Sequence, residues 1–342
     1  MFTNMTFYST GLAPHAIISV VDVNNDSKPD IIVPNELSNN VGVLLNVGDG
    51  TFRPQMTFPT GSAPSTAVVA DVNNDNKPDI VATTYGLNAV DVLFNTGNGT
   101  FLSRTTYSTN PTPHSMVVAD VNNDSKLDII ISNRFTNKIY IFLNTGNGTF
   151  LPQIAISAGV GPWGLAVTDL NNDSRPDIIV TNADSNNVGI LFNMGNVTFS
   201  PQITYPTDSG PRSVAVVDVN NDNKLDLVVA NFVSNNVNVF LNLGNDTFGN
   251  KTSFTVGIFP WGIAVVDLNK DGKADIVVAN QYSNSVSVLL NAGNGMFFNQ
   301  TSFASGVEPV AVAVVDVNGD GKPDIIVTNH NSNNIGILFN TS

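Results

Sequence analysis

The sequence has no cysteine, which excludes a disulfide framework and thiolate chemistry. Glutamate is almost absent: of 28 acidic residues only Glu36 and Glu308 are Glu, and the other 26 are Asp. Lysine and arginine total 14, leaving a net charge of −14. That balance argues against a nucleic-acid partner or an anionic membrane surface, both of which need basic patches. No apolar run approaches the ~18 residues of a transmembrane helix, so direct membrane insertion is not expected. Residues 1–20 lack the basic start and apolar stretch of a secretory leader, so a secreted form would carry its signal upstream of this chain. No segment keeps a 3.6-residue apolar period, which leaves little room for helix.

What the chain does have is a repeat. One nine-residue pattern occurs seven times, starting at residues 22, 71, 120, 169, 218, 267 and 316, a constant spacing of 49. Each copy sits among four short β-type runs separated by Asn, Gly, Pro and Asp clusters. In the third copy these are Ser115–Ala119, Ile129–Ile131, Lys138–Leu143 and Leu151–Ser157. Such runs read as a four-stranded antiparallel meander. The inner runs are apolar at nearly every position, so both faces of each sheet are expected to be covered, as when blades stack around an axis. The predicted fold is all-β: one seven-bladed propeller spanning residues 1–342. The last copy stops in the turn after its third strand, while Phe2 and Tyr8 keep the six-residue aromatic spacing of Phe52 and Phe58 or Phe101 and Tyr107. Residues 2–9 are therefore expected to be the fourth strand of the last blade.

The repeated pattern reads DVNNDSKPD, DVNNDNKPD, DVNNDSKLD, DLNNDSRPD, DVNNDNKLD, DLNKDGKAD and DVNGDGKPD. Three Asp per copy place 21 of the 26 aspartates in these loops. Oxygen side chains stand at positions 1, 3, 5 and 9, position 6 is a turn-former, and position 7 can offer its carbonyl. Hard oxygen donors in a tight loop suit Ca²⁺, and Zn²⁺ would want His or Cys, absent from the loops. The competing reading is an Asx-rich turn capped by its own side chains. Clustered carboxylates repel without a cation between them, and seven Ca²⁺ would balance the net charge. An EF-hand is excluded, because its twelfth position falls on apolar residues such as Val33, Ala82 and Ile131.

These loops make the chain resemble the FG-GAP/VCBS repeat family, which includes the propellers of integrin α-subunits; some fungal and bacterial seven-bladed lectins are similar. The resemblance implies Ca²⁺, up to seven ions with a structural role, held between strands one and two. The implied ligands are Asp22, Asn24, Asp26, Lys28 (carbonyl) and Asp30, then Asp71, Asn73, Asp75, Lys77 and Asp79. They continue as Asp120, Asn122, Asp124, Lys126 and Asp128; Asp169, Asn171, Asp173, Arg175 and Asp177; and Asp218, Asn220, Asp222, Lys224 and Asp226. The last two copies give Asp267, Asn269, Asp271, Lys273 and Asp275, and Asp316, Asn318, Asp320, Lys322 and Asp324. Three features depart from the family's integrin members: position 3 is Asn in all seven copies, the Phe-Gly pair is approximated only by Trp163-Gly164 and Trp261-Gly262, and all seven blades carry the loop where integrin propellers carry it in only some, which favours the simpler VCBS type.

In a meander the calcium loops and the Gly-rich turns share one end, and the other end carries the differences. There the chain places His15, His114, Trp163, Arg212 and Trp261 after the Pro of the four-to-one loops, and Tyr85, Phe135, Phe232, Tyr282 and His330 in the two-to-three loops. Amphipathic side chains on a rim favour recognition, although the two Trp could equally plug the channel mouth or pack between blades. No His stands beside a nucleophile at a position shared between copies, so the chain is not expected to be an enzyme. The expected function is an extracellular or cell-surface adhesion module, calcium-stabilised, binding a glycan or protein through this rim. The alternative is a structural protein that self-assembles into a surface layer or fibre, and a third, less favoured reading is an enzyme whose site is built from rim loops at the channel mouth. Eleven Asn-x-Ser/Thr sites, Asn4 and Asn98 among them, are compatible with a glycoprotein.

Overall fold

The structure is a computed structural model that describes residues 2–15 and 19–341; Met1, residues 16–18 and Ser342 of the expected span lie outside the described residues. Its described elements are strands, arranged as seven four-stranded antiparallel sheets and three short two-stranded ribbons in the turns that follow the third strands of blades 4, 5 and 6. Blade 3 shows the pattern: Pro113–Ala119, Asp128–Asn133, Lys138–Phe142 and Ile154–Ser157 pair in that order. The second strand is buried along its whole length in every blade, and the fourth is mostly exposed. That gradient follows from the sequence, since strands such as DIIISN carry branched apolar residues on both faces.

Hydrophobic cores form between blades rather than within them. Ile130, Ile139 and Ile141 of blade 3 pack with Leu165, Ile178 and Val180 of blade 4. Equivalent clusters occupy the other interfaces, including the one that joins Ile326, Ile335 and Ile337 of blade 7 to Ile31, Val33 and Leu44 of blade 1. Each buried Val or Ile side chain contributes roughly 1.5–3 kcal/mol, so each interface is a substantial core. An outer belt of edge-to-face aromatic pairs repeats the arrangement. Tyr8 meets Phe52, Phe58 meets Phe101, Tyr107 meets Phe150 and Phe303 meets Phe2, with ring centroids 5.1–5.3 Å apart.

The ring closes as expected. Thr6–Ser9 pairs antiparallel with Asn334–Ile337 to complete the sheet of blade 7, and Phe2 bridges to Asn340. The six-residue aromatic spacing therefore marks closure, but not a contact within one blade. The fourth-strand ring of one blade packs on the turn ring of the next.

The first strands of blades 2 to 7 share an irregularity. Each carries a β-bulge just after its Pro, between Pro64 and Thr66, Pro113 and Met116, Pro162 and Leu165, and so on around the ring. A bulge re-aims a side chain, and the residues re-aimed here include His114, Trp163, Arg212 and Trp261. The glycine after each Trp has a steric reason. A Cβ on Gly164 would lie 2.3 Å from the Arg212 carbonyl oxygen, and one on Gly262 would lie 2.9 Å from the Val310 carbonyl oxygen.

Candidate functional site: two faces of the propeller

The seven aspartate loops lie between the first and second strands, beside the turns between strands three and four; Lys28 Nζ donates to the Val47 carbonyl at 2.9 Å across that junction. Each loop curls through two left-handed residues, at positions 4 and 6, such as Asn25 (φ 62°) and Ser27 (φ 63°). Asn tolerates that region better than most residues, Ser less so, and Gly272 and Gly321 adopt it without cost. The curl turns backbone N–H groups onto the side chains. Asp22 accepts from Asp26 N at 3.2 Å and from Ser27 N at 2.6 Å, Asn24 Oδ1 accepts from Asp26 N at 3.0 Å, and Asp26 accepts from Lys28 N at 3.1 Å.

The ninth residue is different. Asp30 is fully buried and accepts from Val23 N at 3.0 Å and from Asn46 N at 2.8 Å. Burial pushes its carboxyl up to about 6 against the pull of those two donors, and the neighbouring Asp26 and Asp22 charges push the same way. Asp79, Asp128, Asp177 and Asp226 behave alike, each pushed up to about 6. The donor set suits a hard divalent cation in its chemistry: it is all oxygen, its carboxylates repel one another, and its position-7 carbonyls accept no hydrogen bond among the described residues; the three carboxylates of a loop do not lie within 4.8 Å of one another, so each loop would have to tighten around an ion. Asp22, Asn24, Asp26, the Lys28 carbonyl and Asp30, with their counterparts in the other copies, would hold such an ion. The position-7 side chain adds a role the sequence did not suggest, because it pairs with the position-5 carboxylate, as in Arg175–Asp173 at 2.7 Å and Lys224–Asp222 at 2.9 Å.

A second feature was missed on this face. In six of the seven blades the Asn that follows the third strand reaches into the preceding blade; Asn242 of blade 5 donates to the Leu225 carbonyl within its own blade. Asn95 Nδ2 donates to the Val23 carbonyl at 2.9 Å, Asn144 to Val72 at 2.8 Å, Asn193 to Val121 at 2.9 Å and Asn291 to Val219 at 2.8 Å. Asn46 and Asn340 do the same across the closing interfaces, to Val317 and Leu268. Every acceptor in a preceding blade is position 2 of an aspartate loop, so the loops are linked around the ring at six of the seven interfaces.

At the other end, nine of the ten expected rim residues converge. Trp163, Arg212 and Trp261 line an axial cavity of about 240 Å³ together with His15, His114 and Val310. The Arg212 guanidinium lies 4.4 Å from the Trp163 ring centroid, 3.5 Å from Phe232 and 4.0 Å from Trp261. It forms no ion pair among the described residues, and its buried Nη1 has no hydrogen-bond partner. Burial, then the nearby Arg134 charge, lower it to about 10. His114 stacks on Trp163 at 4.2 Å, and burial followed by Arg134 lowers its pKa to about 4. Tyr85 leans on His114, while Phe259 bridges Phe232 and Tyr282. Phe135 stands apart, 80% exposed.

His15 and His330 pack edge to face at 5.7 Å, and both approach Glu36. Burial lowers His15, the Glu36 hydrogen bond raises His330, and the same bond lowers Glu36. Phe259, Glu36 and Glu308 were not among the expected rim residues. For the glutamates a signal existed: they are the only two in the chain, and both lie beside His330.

The sequence matches the FG-GAP-like repeat over residues 22–82, 72–131, 120–180, 169–229, 218–278 and 267–327, each match running from one aspartate loop into the second strand of the next blade. The chain belongs to the FG-GAP repeat family. An FG-GAP propeller fits a binding module. No curated protein matches this FG-GAP chain in sequence. Among solved structures it is similar to virginiamycin B lyase from Staphylococcus aureus (16% identity, TM-score 0.67, 99% of each chain) and to BBS1N in complex with ARL6DN (13%, 0.68, 99% of each). It is also similar to an Agrocybe aegerita lectin that recognises non-reducing terminal N-acetylglucosamine (23%, 0.62, 86% of this chain and 81% of that one). At these identities the likeness shows the fold alone. It does correct one expectation: a lyase shares this architecture over its full length, so the lack of a repeated catalytic pattern does not rule out an enzyme. A propeller can build a site from single residues on different blades, which a search for repeated motifs overlooks.

Proposed function

We propose that the chain is a calcium-stabilised extracellular binding module, recognising a glycan or an extracellular protein through the face opposite the aspartate loops. The observation that carries this reading is the aromatic network centred on Arg212. It gathers side chains from all seven blades at one channel mouth, and none of these positions is uniform between repeats. Arg212 offers an unpaired donor, and Tyr85, Phe135 and Tyr282 present rings to solvent. Flat rings beside a polar donor suit both a sugar face and a protein side chain. The cavity is smaller than the roughly 300–1,000 Å³ of pockets that engulf a small ligand. A terminal residue would therefore enter it while the rim holds the rest.

Calcium is assigned a structural role in this proposal, because the loops are far from the rim and close to the blade cores. Module sites of this kind bind at ~10⁻⁴–10⁻³ M, which suits extracellular calcium. A glycan array and a panel of immobilised extracellular proteins, probed with the full chain in millimolar calcium, test the reading. Binding that is lost on Arg212→Ala and weakened on Tyr282→Ala, with the fold retained, is the expected result. Binding that survives both substitutions removes the rim from the reading.

A further inference from the structure

Two of the three histidines meet a carboxylate. His15 follows the Pro of blade 1, and Glu36 and His330 lie in the two-to-three loops of blades 1 and 7. His330 Nε2 is 3.4 Å and His15 Nε2 is 3.8 Å from the same atom, Glu36 Oε2. The three ligand atoms lie within 4.8 Å of one another, the only such group of three among the described residues. Two donors bound ~2.0–2.1 Å from one tetrahedral ion stand about 3.4 Å apart. The His330–Glu36 pair already has that spacing, His15 is a few tenths of an ångström too far from Glu36, and the two imidazole nitrogens lie within 4.8 Å of each other.

The far side of each imidazole is also engaged. His15 Nδ1 is 3.1 Å from the Ser65 carbonyl oxygen. A carbonyl can only accept, so Nδ1 carries the proton and Nε2 presents its lone pair to the cluster. His330 Nδ1 is 3.1 Å from Asn331 Oδ1 and 3.9 Å from a Glu308 carboxylate oxygen, so Nδ1 donates on that side; its Nε2, hydrogen-bonded to Glu36 in the ion-free protein, would release its proton on binding an ion. Metal-binding histidines are oriented in this way, by a carbonyl or carboxylate on the nitrogen that does not bind.

We propose that His15, Glu36 and His330 bind one divalent transition-metal ion, best matched by Zn²⁺, at the channel mouth. Two imidazole nitrogens are poor donors for Ca²⁺ and good ones for Zn²⁺. A His₂Glu set with a vacant fourth position is the pattern of an open zinc site. Because His15 also lines the axial cavity, the open coordination position adjoins the space where a ligand would enter. The site is chemically distinct from the aspartate loops, and its existence does not depend on what the rim recognises.

The test uses the full chain in excess calcium, which occupies any oxygen-donor site, and titrates Zn²⁺ against it. The imidazole nitrogens are followed by NMR, where three histidines give three sets of signals. One equivalent of Zn²⁺ should shift His15 and His330 and leave His114 in place. Co²⁺ in its stead should give the visible absorption of a four-coordinate ion. His330→Ala and Glu36→Gln should each weaken binding at least 100-fold and 10-fold respectively. Absence of saturable binding, movement of His114 alone, or undiminished binding in both variants would overturn the assignment. The wild-type spectra decide the matter even if a variant fails to fold.

Discussion

The two ends of this ring obey opposite rules. On the loop face one nine-residue pattern recurs seven times, and in every copy the position-6 N–H donates to the position-1 carboxylate. On the rim face the corresponding positions hold His15, Ser65, His114, Trp163, Arg212, Trp261 and Val310, and no two adjacent ones are alike. Repetition keeps identical interfaces identical, which a closed ring needs. Variation is tolerated where the bulge lifts the side chain out of the blade stack. Under the proposed function the loop face carries stability and the rim selectivity, so substitutions on each should be felt separately.

The sharpest way to break that division is to remove residues 2–9. The strand pairs with Asn334–Ile337, and Phe2 and Tyr8 each pack on a neighbouring ring. Its loss exposes the third strand of blade 7 as an apolar edge. The truncated chain is expected to lose most of its soluble yield, and one that melts with the parent would show that the N-terminal strand is not needed for closure. Next in size is chelation. Removing calcium should lower the melting temperature by many degrees in calorimetry while leaving the rim's composition untouched. An unchanged melting temperature would mean that the loops are self-capped turns. Asn144→Ala should follow, at about 1–3 kcal/mol, because it orphans the buried Val72 and Leu127 carbonyls; chemical denaturation reads this.

On the rim the expectation reverses. Tyr282 is 62% exposed, so Tyr282→Ala should cost under about 0.5 kcal/mol of stability. It should weaken ligand binding about tenfold, which corresponds to about 1.4 kcal/mol. A stability loss without a binding loss would blur the division between the faces. The smallest effect concerns His114. Its folded pKa of about 4 lies below the ordinary 6.5, so the unfolded chain takes up a proton first. The stability owed to the neutral ring is complete above about pH 6.5 and is lost as the pH falls towards 4. The buried aspartates, pushed up to about 6, act in the opposite sense. The readout is therefore a difference: between pH 7 and 4.5 in excess calcium, His114→Phe should lose less stability than the parent. Parallel curves would remove His114 from the account.

Much of this was legible in the chain. The period of 49, the doubly apolar second strands and the spacing from Phe2 to Tyr8 all pointed to seven blades closed by the N-terminal strand. The loop residues fell where the pattern placed them. The contacts between blades were not legible. Asn95 and its counterparts are lost among many other asparagines, and no periodicity shows that a side chain crosses to the blade before. The aromatic spacing was visible, but its partners lay one repeat away. The His15–Glu36–His330 group escaped notice because its members belong to different loops in blades 1 and 7, brought together only by closure.

That closure also has a mechanical consequence. Thr6–Ser9 and Asn334–Ile337 run antiparallel, with Phe2 opposite Asn340 at one end of the pair. A load applied between those two residues pulls both strands from the same end. It would break their hydrogen bonds one after another, as a zipper opens, rather than shear them together. Unzipping needs little force, and it would part the seam where blade 7 is completed. The ring should therefore resist heat far better than it resists tension between its ends, and a single-molecule pulling trace should show an early, low-force step that releases the N-terminal strand.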